Sequence, residues 1–217
     1  PDTVAKYLLT SGSTSHPKGV LTTQRMMCTN QAQLRATLPF VTEKPPVLLD
    51  WLPWNHVFGG SHNFNLVLSN GGTLYIDNGK PTPALAVHTI ENLRQVSPTI
   101  AFNVPVGFAV LRDALRADPA LRRQYFGNLD MLFYAGASLP QDIWADLEDM
   151  ARDVRGAMPL FNSSWGLTET APAALLQHEF THQSGIIGVA LPGVTIKLVP
   201  VDDANRFEVR VKGDTVT

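Results

Sequence analysis

The sequence predicts an α/β protein: a doubly wound, mostly parallel sheet with flanking helices, leading into a β-rich subdomain at the C-terminal end. Three features carry that expectation. Short β-rich runs alternate with longer helical patterns as far as residue 163, the rhythm of parallel strands joined by crossover helices. Proline and glycine punctuate the joints between them. From about residue 184 the texture changes to Gly-rich turns and short alternating strands.

In order along the chain, residues 5–10 and 47–51 read as strands, and 22–38 as a helix capped by Thr22 or Thr23. A mixed segment covers 57–69. Gly71-Gly72 precedes a strand at 73–76, and a helix near 83–96 must end before Pro98. Strand 99–103, helix 105–117, strand 130–134, helix 140–153 and strand 158–163 complete the pattern. Alternation at 195–199 and 207–211 predicts two further strands. The expected division is an α/β core over 1–183 and the start of a β-barrel-like subdomain over 184–217.

With 217 residues the chain can bury a core without disulfide or metal staples. Its 44% hydrophobic content is that of a globular protein, and its 17 basic and 19 acidic residues give a net charge of only −2. No Lys/Arg run offers a footprint for nucleic acid or an anionic membrane, so those partners are excluded at this level. The longest stretch free of Asp, Glu, Lys and Arg, 51–76, is broken by Pro53, asparagines, histidines and glycines and is no membrane span. A single cysteine, Cys28, and the absence of a leader pattern make a cytoplasmic setting the expectation. The charged fraction of 17%, against about a quarter in typical domains, and the unfinished strand before Lys212-Gly213-Asp214 read as signs of a fragment of a longer protein.

Open α/β sheets bind ligands beyond the carboxyl ends of their strands, so the loops after residues 10, 51, 134 and 163 are the ones to inspect. The first runs Thr10-Ser11-Gly12-Ser13-Thr14-Ser15-His16-Pro17-Lys18-Gly19 and is expected to open onto a helix. Hydroxyls, freed loop amides, one lysine and a positive helix end are what a polyphosphate needs. A Walker A loop has Gly directly before the Lys and Ser or Thr after it; Pro17 and Gly19 stand there instead. In the loop after 163, Asn162-Ser163-Ser164-Trp165-Gly166-Leu167-Thr168-Glu169, Trp165 offers a flat face for adenine and Gly166 a close approach to backbone. Thr168 offers a hydroxyl to a phosphate, and Glu169 a hard oxygen for Mg²⁺. Read alone, the segment is also an ordinary helix cap. Tyr134-Ala135-Gly136-Ala137-Ser138-Leu139-Pro140 is a small-residue turn with Ser138 placed to cap the next helix.

Residues 10–19 resemble the signature loop of the adenylate-forming superfamily: acyl- and aryl-CoA synthetases, peptide-synthetase adenylation domains and firefly luciferase. Residues 162–170 resemble its second signature, and 134–140, 50–62 and 184–193 resemble further segments of it. The run 50–83 is most similar to the feruloyl-CoA synthetase branch. Where the family usually has Gly, this chain has Ser15, at a cost of about 1 kcal/mol if the loop holds a positive φ there.

The resemblance implies an ATP-dependent acid:CoA ligase in two half-reactions, with ATP, Mg²⁺ and CoA as cofactor and co-substrates and an aromatic acid such as ferulate as the acyl donor. By matching motifs it places Thr10, Ser11, Gly12, Ser13, Thr14 and Lys18 on the β- and γ-phosphates and Thr168 on the α-phosphate. Glu169, with Thr14, falls to Mg²⁺, and Ala135, Gly136, Ala137, Ser164, Trp165 and Gly166 to the nucleotide. His56, Tyr134, Gly136 and Gly166 would border the acyl group. Lys18, Thr168 and Glu169 are the implied catalytic set. The family's ribose-binding Asp segment, its mobile C-terminal domain with a catalytic lysine and the N-terminal part of its large domain have no counterpart here, so the chain alone is expected to be poorly active, its partners the remaining parts of its own protein.

Alternatives remain open: an ATP-binding fragment without catalysis, an amino-acid-activating adenylation module, and a zinc hydrolase. The last rests on His178-Glu179-Phe180-Thr181-His182, a literal H-E-x-x-H, which works only on a helix that sets both imidazoles on one face with a third ligand nearby. The room between Pro172 and Gly185 is short for such a helix. For His56 the alternative to a substrate contact is a buried structural histidine.

Overall fold

The computed structural model describes residues 1–10, 18–201 and 206–217. Strand β1 (Val4–Thr10) pairs antiparallel with β2 (Lys18–Thr23), Thr10 opposite Lys18. Helix α1 (Gln24–Thr37) follows, its first turn closed by Thr23, whose hydroxyl accepts from the Met26 amide at 3.2 Å. The expected helix directly after the phosphate loop is therefore a strand. Lys18 opens β2, and the positive helix end lies farther on, at Gln24. A short α2 (Phe40–Glu43) leads to β3 (Val47–Asp50). The mixed segment resolves into a π-helix (Phe58–Asn63) running straight into α3 (Phe64–Ser69). Then come β4 (Thr73–Ile76), α4 (Ala86–Leu93), β5 (Ile100–Asn103), α5 (Pro105–Ala117), α6 (Pro119–Phe126), β6 (Met131–Tyr134) and α7 (Gln141–Arg155). The chain closes with β7 (Leu160–Gly166), a 3₁₀ turn (Thr168–Thr170), β8 (Ala173–Leu176), β9 (Val189–Ala190), β10 (Thr195–Pro200) and β11 (Phe207–Lys212).

Strands β5, β6 and β7 are parallel neighbours, and β8 and β9 continue the sheet antiparallel. The parallel pair β3–β4 lies beside β5, tied to it by the Thr99 amide on Val47 O at 2.9 Å. Strands buried on both faces lose the in/out polarity pattern and become continuous apolar runs, as Met131-Leu132-Phe133-Tyr134 shows. Period-two alternation then divides them between two cores. Phe102, Met131, Phe133 and Leu160 pack toward α1, the π-helix and β8, whereas Ala101, Leu132, Tyr134 and Phe161 pack toward α5, α6 and α7. The doubly wound, mostly parallel expectation thus holds.

One further local expectation does not. Ser138 does not cap α7; Pro140 occupies the cap position without a side-chain bond, and its ring presets the entry to the helix. The His178–His182 segment is not helical. It leaves β8 as irregular chain, with His178 Nδ1 near Leu176 O (3.4 Å) and His182 Nδ1 on Glu148 Oε1 (2.7 Å). The two imidazoles are thus not set on one face of a helix, and among the described residues no cluster of three or more His, Cys, Asp or Glu side chains is placed to hold a metal.

Candidate active site

A cavity of about 520 Å³ opens beyond the carboxyl ends of β6 and β7, a volume that suits a small-molecule site. Three of the four loops singled out from the sequence form its wall: 56–58, 134–138 and 163–168. Sheet geometry explains the gathering. β6 and β7 run parallel in register, Tyr134 beside Ser163, so their following loops emerge side by side.

Of the residues expected at a nucleotide, Ala135, Gly136, Ala137, Ser164, Trp165, Gly166 and Thr168 line the cavity. Trp165 is half-buried at a bulge in the β7–β8 pairing and leans on the core. Gly166 has a structural requirement of its own: a Cβ there would come within 1.7 Å of Pro172 O, so only glycine lets β8 fold back. The 3₁₀ turn is closed by Thr170, whose Oγ1 accepts from the Leu167 amide at 2.8 Å, and strand β2 packs against it. Thr168 joins the cavity wall; Glu169 lies outside it, half-buried, with no hydrogen bond or ion pair to its carboxylate among the described residues. That free carboxylate is the donor type Mg²⁺ takes. Thr10 and Lys18 face each other across β1 and β2, outside the cavity wall. Ser11, Gly12, Ser13, Thr14 and Ser15 lie outside the described residues.

Across the cavity, His56 is exposed rather than buried in the core, and its Nδ1 accepts from the Phe58 amide at 3.2 Å, which leaves the proton on Nε2. Tyr134 is nearly buried; its hydroxyl accepts from the Gly185 amide (2.9 Å) and meets Ser184 Oγ (3.3 Å), so it ties down the 184–185 loop. The unexpected member is His62, 2% exposed in the π-helix and a residue of the cavity wall, its ring 5.1–5.7 Å from the rings of Phe58, Phe102 and Phe133. Burial lowers its pKa to about 4, against the hydrogen bond with Asn63. Beneath it Asp50 accepts from Asn63 Nδ2 (2.8 Å) and the Leu52 amide (2.9 Å), and burial raises its pKa to about 6. No Asp or Glu lines the described cavity.

A mostly parallel sheet covered by helices on both faces, with a cavity beyond its strand ends, defines a doubly wound α/β domain. The model of the AMP-binding enzyme family matches residues 1–217, and the chain belongs to that family. It is similar to a long-chain-fatty-acid–CoA ligase of Salmonella typhimurium, 29% identical over 229 residues covering 100% of this chain and 38% of that protein. It is also similar to the luciferin 4-monooxygenase of Photinus pyralis, 25% identical over 98% of this chain and 36% of that protein. The chain thus spans about two fifths of the length of these relatives. Among solved structures, a malonyl-CoA ligase with methylmalonyl-CoA and AMP bound matches with TM-score 0.75 at 25% identity, covering 98% of this chain and 44% of that one. A long-chain-fatty-acid-CoA ligase of Archaeoglobus fulgidus shares the fold, TM-score 0.77 at 20% identity, over 98% of this chain and 42% of that one. Neither curated relative named here is a feruloyl-CoA synthetase.

Proposed function

We propose that this chain is the nucleotide- and acyl-binding centre of an ATP-dependent carboxylic acid:CoA ligase acting on an aromatic acid. The observation that carries the reading is the convergence of 134–138 and 163–168, both signature-like segments, on one cavity whose opposite wall is His56, Phe58 and His62. In the first half-reaction an oxygen of the acid attacks the α-phosphorus of ATP and pyrophosphate leaves. In the second the sulfur of CoA attacks the acyl carbon and AMP leaves. Joining two anions makes positioning and charge neutralisation the main demands on the protein.

On this reading Trp165 and the small 135–137 segment hold the adenine, which only small side chains let pass so near the backbone. The Thr168 hydroxyl donates to the α-phosphate, and the His56 Nε2–H is placed to donate to the acid or its adenylate. Ser11, Gly12, Ser13 and Thr14, between Thr10 and Lys18, take the terminal phosphates. Glu169 would hold Mg²⁺, which supplies charge neutralisation on the phosphates when bound. Residues 184–217 would begin a separate β-rich subdomain. An aromatic acid is favoured because Phe58, Phe133 and His62 form the inner wall, and rings pack on rings at little conformational cost. The lack of an acidic residue in that wall supports an acid without an α-amine over an amino acid. Acid-dependent exchange of pyrophosphate into ATP by the purified full-length protein tests the reading. Exchange with ferulate or another cinnamic acid is expected; exchange only with dodecanoate would overturn the aromatic assignment, and none with any acid the ligase itself.

A further inference from the structure

We propose that Gln141, an exposed residue outside the cavity wall, is a positioning residue for the acid: its side-chain amide holds residues 182–187 in place as one side of the cavity. The inference deepens the ligase reading and rests on it. Residues 182–187 form neither helix nor strand, so their backbone groups need partners from elsewhere. Gln141, the first residue of α7, supplies two. Its Nε2–H donates to His182 O at 2.9 Å, and its Oε1 accepts from the Ser184 amide at 2.8 Å. Turned over, the amide would set donor against donor and carbonyl against carbonyl, so its orientation is fixed. A carbonyl and the amide two residues on are what one peptide unit of a neighbouring parallel strand would satisfy, and here a side chain stands in for that strand.

The same segment reaches the cavity. The Ser184 hydroxyl donates to Leu139 O, the Gly185 amide to the Tyr134 hydroxyl at 2.9 Å, and the Ser163 hydroxyl to Ile186 O at 2.5 Å. Leu139 O only accepts and the Gly185 amide only donates, so the Tyr134 proton is directed to Ser184 Oγ, 3.3 Å away. The Tyr134 hydroxyl is thereby occupied by the segment, and what it offers the cavity is its ring. Gly185 and Ile187 line the cavity beside that ring, while the residues expected at the nucleotide lie on 135–137 and 164–168. An apolar side chain next to the tyrosine assigned to the acyl group serves the body of the acid rather than phosphate or ribose. Fixing an irregular segment costs backbone entropy, and two of its bonds come from one exposed side chain. Removing that side chain loosens the wall without touching any ligand.

Ferulate-dependent pyrophosphate exchange by the full-length protein and its Q141L and Q141E variants is the test. Q141L removes both bonds. Q141E keeps an acceptor for the Ser184 amide but sets a carboxylate against His182 O, while its charge in the first turn of α7 favours the helix. In both variants the KM for the acid is expected to rise about tenfold, with the KM for ATP and kcat within about twofold of native. The urea midpoint of Q141E should stay at or above the native one, so that loss of acid affinity parts from loss of stability. An unchanged acid KM in both variants, or equal rises in the two KM values, overturns the inference and leaves the ligase reading standing. Amide hydrogen exchange checks the cause: Ser184 and Gly185 should lose protection in Q141L while β5, β6 and β7 keep theirs, and unaltered protection at 184 and 185 contradicts the clamp. Activity only with dodecanoate overturns the aromatic assignment, and the KM comparison is then read with that acid. No pyrophosphate exchange by the native protein with any acid overturns the ligase reading and this inference together.

Discussion

Asp50 and His62 titrate in opposite senses, and the pair should make the acid limb of stability unusually flat. The Asp50 carboxyl has a folded pKa near 6 against 3.8, so its contribution is fully present below 3.8 and is lost as pH rises through 6. The His62 imidazole has a folded pKa near 4 against 6.5, so its contribution is present above 6.5 and is lost as pH falls through 4. Shifts of this size correspond to at most about 3 kcal/mol each. D50N should therefore lose stability on acidification from pH 6.5 to 4, and H62F should gain it over pH 6 to 4. Urea midpoints across that range check both; two variants with parallel pH profiles would show that the groups do not titrate this way. At this scale the sequence was partly legible. His56 stood out through the resemblance of residues 50–62, whereas His62 did not, because what positions it is the Asp50–Asn63 support, set by β3 and the π-helix together rather than by any motif.

Helix α7 carries the clearest test of an element. It ends at Gly156, φ +71, whose amide returns to Arg152 O at 2.8 Å. Nothing lies within 4 Å of where a Cβ would stand, so G156A should cost about 1 kcal/mol through backbone conformation alone, and G156N less. Midway along α7, Trp144 is 1% exposed and stacks on Phe161 of β7 at 3.9 Å and 9°. W144A should cost about 3–5 kcal/mol by chemical denaturation, and W144F much less, because it keeps a ring on Phe161. Both α5 and α7 were legible because their apolar residues recur at helical spacing over three turns or more. Strand β2 was not: Lys18–Thr23 alternates with only Val20 and Thr22 buried, too weak a signal beside a Ser/Thr-rich loop. The π-helix was read only as mixed, since six residues cannot separate its period from that of an α-helix. Helix α6 went unread because a short Arg-rich stretch shows little periodicity; its start is fixed by Asp118, which accepts from the Ala120 and Leu121 amides.

For the whole molecule, the placement of the cavity was legible from topology: a parallel sheet directs its loops to one edge, and the segments after 51, 134 and 163 meet there. No described helix is long and apolar enough to cross a membrane. What sequence could not supply was the antiparallel return through β8 and β9, because Ala173-Ala174-Leu175-Leu176 has no alternation and becomes a strand by pairing with Ser164–Gly166 on one side and Val189–Ala190 on the other. That return packs Pro172 against the backbone of Gly166 and so shapes the wall that carries Trp165. The most direct test of the central claim is calorimetric titration of the full-length protein with a feruloyl-adenylate analogue, alongside W165A. Binding by the native chain with at least tenfold loss in W165A is expected, since stacking on a flat base contributes about 1–3 kcal/mol. Equal affinity in native and W165A proteins would contradict the assignment of this cavity to the adenylate.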